Sequence, residues 1–154
     1  MLKGIKQKDC RLLDVINKYG CLFLCFAEQS SIVFEGDVGC SKLNCIWATA
    51  SAQGYITDDI NKDGDFDDIG EAEIVDHSGL ARDFFDLEVR YDGKHHNASE
   101  KIPENVAFVF GRFVYKSGHF VIISKDKEVT FDPMGLSNTV VNGKLESMRW
   151  YYAI

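Results

Sequence analysis

The hydrophobic period of this chain changes once, near Leu87, and that change limits the possible folds more than any other feature. Before it, apolar residues recur at helical spacing. After it, aromatic and β-branched residues come in short runs separated by turn formers. Leu12, Leu13, Val15 and Ile16 lead into Lys18-Tyr19-Gly20, which predicts a helix of about two turns ended by glycine. Cys21-Leu22-Phe23-Leu24-Cys25-Phe26-Ala27 is apolar nearly all round, as a buried helix is. A third helix is expected over about 41–53, with Leu43, Ile46, Trp47 and Ala50 on one stripe and Gly54 as its stop. A fourth is expected over 78–85, with Ser78 as its N-cap. Strands are expected over 87–91, 106–115, 119–124, 128–132 and 148–153. Helices first and strands later predict an α+β domain, one unit over 1–154, with N-terminal helices packed on a C-terminal antiparallel sheet.

Composition supports one core. Apolar residues are 45% of 154, and 11 of them are Phe. The formal net charge of -7 argues against nucleic acid as a partner, because phosphate-binding surfaces carry a basic excess. No apolar run approaches the roughly 20 residues of a membrane span. The segment from Met1 to Asp9 lacks a signal-peptide apolar region, so a cytoplasmic location is expected.

The tract from His119 to Asp132 folds on paper as a hairpin turning at Lys125 and Asp126. Pairing Ser124 with Lys127 sets Ile122 opposite Val129, Phe120 opposite Phe131 and His119 opposite Asp132. The apolar pairs then share one face, and His119 and Asp132 share the other, with Cβ atoms about 4.5–5.5 Å apart. Pro133 ends the second strand because it cannot donate to the ladder.

Five cysteines (Cys10, Cys21, Cys25, Cys40 and Cys45) lack paired C-x-x-C spacing, so neither a disulfide framework nor a zinc ribbon is expected. Cys21 opens a helix, where partial positive charge and backbone N–H groups favour a thiolate and can bind an oxyanion. Gly20 is expected to leave room there for a substrate backbone. Cys10 is the second candidate nucleophile; Cys25, Cys40 and Cys45 read as core.

In their order, Tyr19-Gly20-Cys21, Gly118-His119-Phe120-Val121-Ile122 and Val129-Thr130-Phe131-Asp132-Pro133 resemble the papain-like cysteine peptidases of the bacteriocin-processing type and their phage-associated relatives. The tail Asp132-Pro133-Met134-Gly135-Leu136-Ser137, with 140–143 and Arg149, looks like the C-terminal stretch of the phage-associated members. The resemblance implies a papain-like fold, Cys21 as nucleophile, His119 as base then acid, and Asp132 as the group that orients the imidazole. It also implies a peptide substrate, either cell-wall (peptidoglycan-like) peptide or a Gly-rich leader. One position departs: the family's oxyanion-hole Gln, six residues before the nucleophile, is Val15 here, and Asn17 and Gln7 are the substitutes at hand. The expected function is therefore a cysteine peptidase or amidase. The alternatives are a catalytically silent papain-like binding or structural protein stabilised by calcium, and an acyl transferase using the same three residues.

Within the acidic loop 57–71, Asp59, Asn61, Asp63, Asp65 and Asp67 follow the spacing of a calcium loop, with Gly64 at the sharp turn. Position twelve of that pattern is Gly70, with Asp68 or Glu71 to fill in. Five carboxylates between residues 59 and 68 repel one another unless a cation joins them. The expected cofactor is a structural Ca2+. Its signature is a Tm that rises with added calcium and falls with chelator; an unchanged Tm in scanning calorimetry removes the site. His95-His96, beside Asp92-Gly93, reads as an exposed turn, and the sequon Asn97-Ala98-Ser99 as unused.

Overall fold

A computed structural model describes residues 1–57, 62 and 72–154. Asp59, Asn61, Asp63, Asp65 and Asp67 lie outside the described residues, and with them the expected calcium site. The elements run in the order β1 (Leu2–Lys3), α1 (Asp14–Tyr19), α2 (Cys21–Gln29), β2 (Phe34–Glu35), α3 (Gly36–Ala52), α4 (His77–Phe85), β3 (Val89–Tyr91), β4 (His96–Asn97), β5 (Val106–Val114), β6 (Gly118–Ile123), β7 (Val129–Phe131), α5 (Asn138–Asn142) and β8 (Lys144–Ala153). The chain is α+β, with its main helices before its main sheet. That sheet is antiparallel in the order β3-β8-β5-β6-β7, and β4 also pairs with β8. β1 and β2 form a separate parallel pair. Among the described residues no helix is long and apolar enough to cross a membrane.

Both faces of the sheet are covered, which is why β5 buries 109–111 and β8 buries 147–151 without alternation. On one face Phe110, Ile122 and Tyr151 meet the helices. The Phe26 ring of α2 stands edge-on to Phe110 at 5.0 Å and to Tyr151 at 5.3 Å, while Phe23 meets Trp47 of α3 at 5.0 Å and Phe85 of α4 at 5.4 Å. Each such buried ring contributes about 2–3 kcal/mol of burial, and each edge-to-face pair about 1 kcal/mol more. On the other face Val109, Val121, Ile123, Met148 and Trp150 pack with Ile102 and Val106, and Val140 of α5 leans on this second cluster.

Several expectations are corrected. α3 begins at Gly36, before the expected Ser41: Gly36 takes φ +60, which favours glycine, and a Cβ on Gly39 would lie 2.6 Å from the Phe34 backbone, so one weak helix former is there for its backbone angle and the other for packing. Ser78 does not cap α4. Asp76 does, accepting from the Gly79 N–H at 2.8 Å, and the Ser78 hydroxyl accepts from the Tyr91 N–H at 3.0 Å, tying α4 to β3. β8 starts at Lys144 rather than Met148 because its polar first residues pair along β5. Cys45 is exposed on α3 rather than in the core; Cys25 and Cys40 are buried. His96 is no exposed turn residue: it is buried in β4, stacked on Trp150, with Asp92 at 2.6 Å on one ring nitrogen and Glu100 at 3.3 Å on the other.

Candidate active site

Gly20 joins two helices without a break. Its N–H bonds the Ile16 carbonyl at 2.9 Å to close α1, and the same residue is the N-cap of α2, with no side chain to occupy the helix's first N–H groups. A Cβ on Gly20 would meet Ile16 O at 2.6 Å and Ile16 Cγ2 at 2.7 Å. The glycine therefore makes room for α1. This tight corner fixes Cys21 at the mouth of α2, partly exposed, against β6. The Phe120 N–H points to Cys21 Sγ at 3.4 Å, and one helical turn on, Cys25 Sγ bonds the Phe120 carbonyl at 3.7 Å. Two sulfurs four residues apart thus bracket one residue of β6. Burial pushes the Cys25 thiol well up, which keeps it protonated and unreactive.

The β6–β7 hairpin reaches the expected pair by another register. Ser124 N–H bonds the Glu128 carbonyl at 2.9 Å and Lys127 N–H the Ser124 carbonyl at 2.8 Å, with Lys127 at φ +66. The loop therefore holds three residues, Lys125 to Lys127, and ends on a left-handed residue where a two-residue turn was expected. Ile123 consequently faces Val129, and a bulge at Thr130 moves Phe131 opposite Ile122. One slip at the turn and one extra residue at the bulge sum to two, so parity is restored. Phe120, Ile122 and Phe131 share the helix-facing side, as the side-chain pattern requires. Val129 does not join them; it is exposed. The Thr130 hydroxyl bonds the Ile122 carbonyl at 3.2 Å and holds the bulge.

Continuing that register, Asp132 meets His119 as a diagonal neighbour instead of a directly opposed one. Asp132 Oδ1 lies 2.7 Å from His119 Nε2. The same oxygen accepts from the Met134 N–H at 2.9 Å, and Oδ2 accepts from the Ser137 N–H at 3.0 Å. The tail Asp132-Pro133-Met134-Gly135-Leu136-Ser137 is thus a loop wrapped around one carboxylate, turned by Gly135 at φ +87. Both side chains are buried, His119 at 8% and Asp132 at 4% exposure.

Burial opposes charge on both partners, and their hydrogen bonds outweigh it. Burial alone lowers the His119 pKa, but the bond from Asp132 and then that from Cys21 raise it to about 9. Burial raises the Asp132 pKa, yet His119 and the Ser137 and Met134 amides hold it below the ordinary carboxylate range. With Nε2 committed to Asp132, Nδ1 is the ring nitrogen left for the Cys21 sulfur. The structure brings Cys21, His119 and Asp132 together. Cys10, the competing nucleophile, is exposed and takes no part.

A cleft of about 470 Å³ opens at Cys21 and Leu22 and runs past Gly118 and Phe120, the neighbours of His119, to Arg149 on β8. His77 also lines it, bonded to the Tyr151 hydroxyl at 2.8 Å and stacked on Tyr91. Burial and then Arg149 push the His77 pKa down to about 4, so this ring is neutral at ordinary pH. Sequence reading assigned His77 no role and met Arg149 only within the family resemblance; the signal for Arg149 was a lone cation inside the apolar run Met148-Arg149-Trp150-Tyr151. The oxyanion-hole substitutes are otherwise engaged. Gln7 Nε2 donates to the Asn17 carbonyl at 3.1 Å, and Asn17 Nδ2 donates to the carbonyls of Gln7 and Asp9.

Comparison with curated proteins and with solved structures gives no match. A family model described as "Protein of unknown function, DUF261" matches residues 1–153, and the chain belongs to that family.

Proposed function

We propose that the protein is a papain-like cysteine hydrolase, a peptidase or amidase, in which Cys21 attacks a carbonyl, His119 moves the proton and Asp132 orients the ring. The observation that carries this reading is an imidazole held on Nε2 by a buried carboxylate, in the strand position next to Phe120, whose own N–H meets the sulfur of a cysteine at a helix N-terminus that opens on a cleft. A thiolate is the nucleophilic form of cysteine, and the group beside this sulfur is His119, which stays charged up to about 9. The thiolate adds to the substrate carbonyl, and the oxyanion meets the N–H groups at the start of α2. His119 gives its proton to the leaving amine, the C–N bond breaks, and a thioester on Cys21 remains. Water, losing a proton to His119, then adds to the thioester, the C–S bond breaks to release the acid, and the unprotonated sulfur and charged ring of the start are restored. The sequence motifs favour cell-wall or leader peptide as substrate.

A second reading is a catalytically silent binding protein, stabilised by calcium at the acidic loop. The commitment of the Gln7 and Asn17 amides to backbone carbonyls favours it, because neither is then free to help hold an oxyanion. Iodoacetamide at pH 6, followed by peptide mapping, separates the two. The hydrolase takes up one equivalent, at Cys21, while Cys25 and Cys40 stay unmodified. Labelling at the rate of the unfolded chain, or confined to Cys10, ends the hydrolase reading.

A further inference from the structure

The cleft holds a charge that the Cys-His-Asp chemistry leaves unused. Arg149 sits mid-strand in β8 at 6% exposure. Its Nη1 donates to Ser147 Oγ at 3.0 Å and to the Met148 carbonyl at 3.3 Å, and its Cζ lies 5.2 Å over the centroid of Phe120. Nη2 and Nε have no acceptor among the described residues, and no described carboxylate forms an ion pair with Arg149. Arg112 on the same wall differs: it is paired with Glu146 at 2.7 Å. Among the described residues lining the cleft the charges are Lys18, Arg112 and Arg149 against Glu73 alone.

A guanidinium cannot shed its proton, so a buried one without a counter-ion is costly unless an anion arrives. Burial pushes the Arg149 pKa down. Two carbonyl and hydroxyl contacts and a ring fix one edge of the fork, and the other edge stays available for bidentate pairing with a carboxylate. Phe120 links the two ends of the site, its N–H on the Cys21 sulfur and its ring under Arg149.

We propose that Arg149 binds a carboxylate of the substrate, so that the peptide accepted beside Cys21 is an acidic one. The word substrate rests on the hydrolase reading; the binding does not need the nucleophile. The test therefore uses full-length protein carrying Cys21→Ala, titrated by NMR with three acetylated tetra-alanine peptides. One ends in a free carboxylate, one in an amide, and one in an amide with glutamate at an internal position. One or both acidic peptides are expected to bind roughly 10- to 100-fold more tightly than the plain amide, and which one does identifies a terminal or a side-chain carboxylate. Arg149→Gln removes the preference and Arg149→Lys keeps part of it. Should Arg149→Gln not fold, the peptide comparison and the shift of the Phe120 amide in the Arg149-containing protein decide the matter. Equal affinities, a preference that survives Arg149→Gln, or no saturable binding of either acidic peptide by about 10 mM overturns the proposal. Iodoacetamide labelling of Cys21 in the unsubstituted protein is read separately. Carboxylate binding without labelling removes the hydrolase and leaves the acidic-peptide site.

Discussion

His119→Ala slows alkylation of Cys21 at pH 6 by about two orders of magnitude, within the range that a positioned acid–base group contributes. The variant loses the cation that lies beside the sulfur. His119 keeps its proton up to about 9, so the faster reaction of the wild-type protein is expected to persist across pH 6 to 8. The measurement is a pseudo-first-order rate against pH, with Cys21→Ala as blank. Equal rates in wild type and variant at pH 6 disprove the pairing. Stability follows with a defined sign. The folded-state pKa lies above the ordinary value of 6.5, so the protonated pair stabilises the fold fully below about pH 6.5 and that contribution is lost as pH rises through about 9. His119→Ala should flatten the fall in Tm over that window.

How much of this was legible beforehand depends on the range of the interaction. Cys21 opening a buried helix was readable because Gly20 and seven apolar residues are local signals. The closeness of His119 and Asp132 was readable because apolar parity constrains a hairpin strongly, even though the paper register was off. A two-residue turn and a three-residue turn with a bulge satisfy the same parity, and only the left-handed φ of Lys127 and the side-chain bond of Thr130 decide between them. The role of Met134 and Ser137 was not readable, since their contribution is backbone N–H groups, which carry no sequence identity. The amides of Gln7 and Asn17 were candidates for the oxyanion hole by type, and tertiary bonds to the 7–9 and 17 backbone engage them elsewhere. Arg149 needed β8 to be placed between β3 and β5, a pairing across more than thirty residues from Arg112 to Ser147 that periodicity cannot supply.

Asp132→Ala is expected to be the most destabilising change in the site, at about 3–5 kcal/mol, the usual cost of removing one member of a buried charged pair. The carboxylate, at 4% exposure, accepts from three donors: His119 Nε2, the Met134 amide and the Ser137 amide. Alanine leaves all three without an acceptor in a place water does not reach, at about 1–3 kcal/mol for each unpaired group before relaxation. The expected drop in Tm is roughly 10 °C or more. Asp132→Asn tests the geometry more finely. Both carboxylate oxygens face N–H donors, so an amide must turn its own NH2 toward either the Met134 and His119 side or the Ser137 side. It therefore falls between wild type and alanine in stability. It also loses the charge that fixes the proton on Nε2, so if the proposed hydrolase reading holds, turnover falls by about a thousandfold or more. Because Asp132 is held below the ordinary carboxylate range, its contribution is present above the unfolded-state value and is lost as pH falls. Acid unfolding of Asp132→Asn should therefore begin from a lower Tm at neutral pH and depend less on pH below about 4. A Tm within a degree or two of wild type in both variants means that the loop does not close on this carboxylate, and the orienting role of Asp132 falls with it.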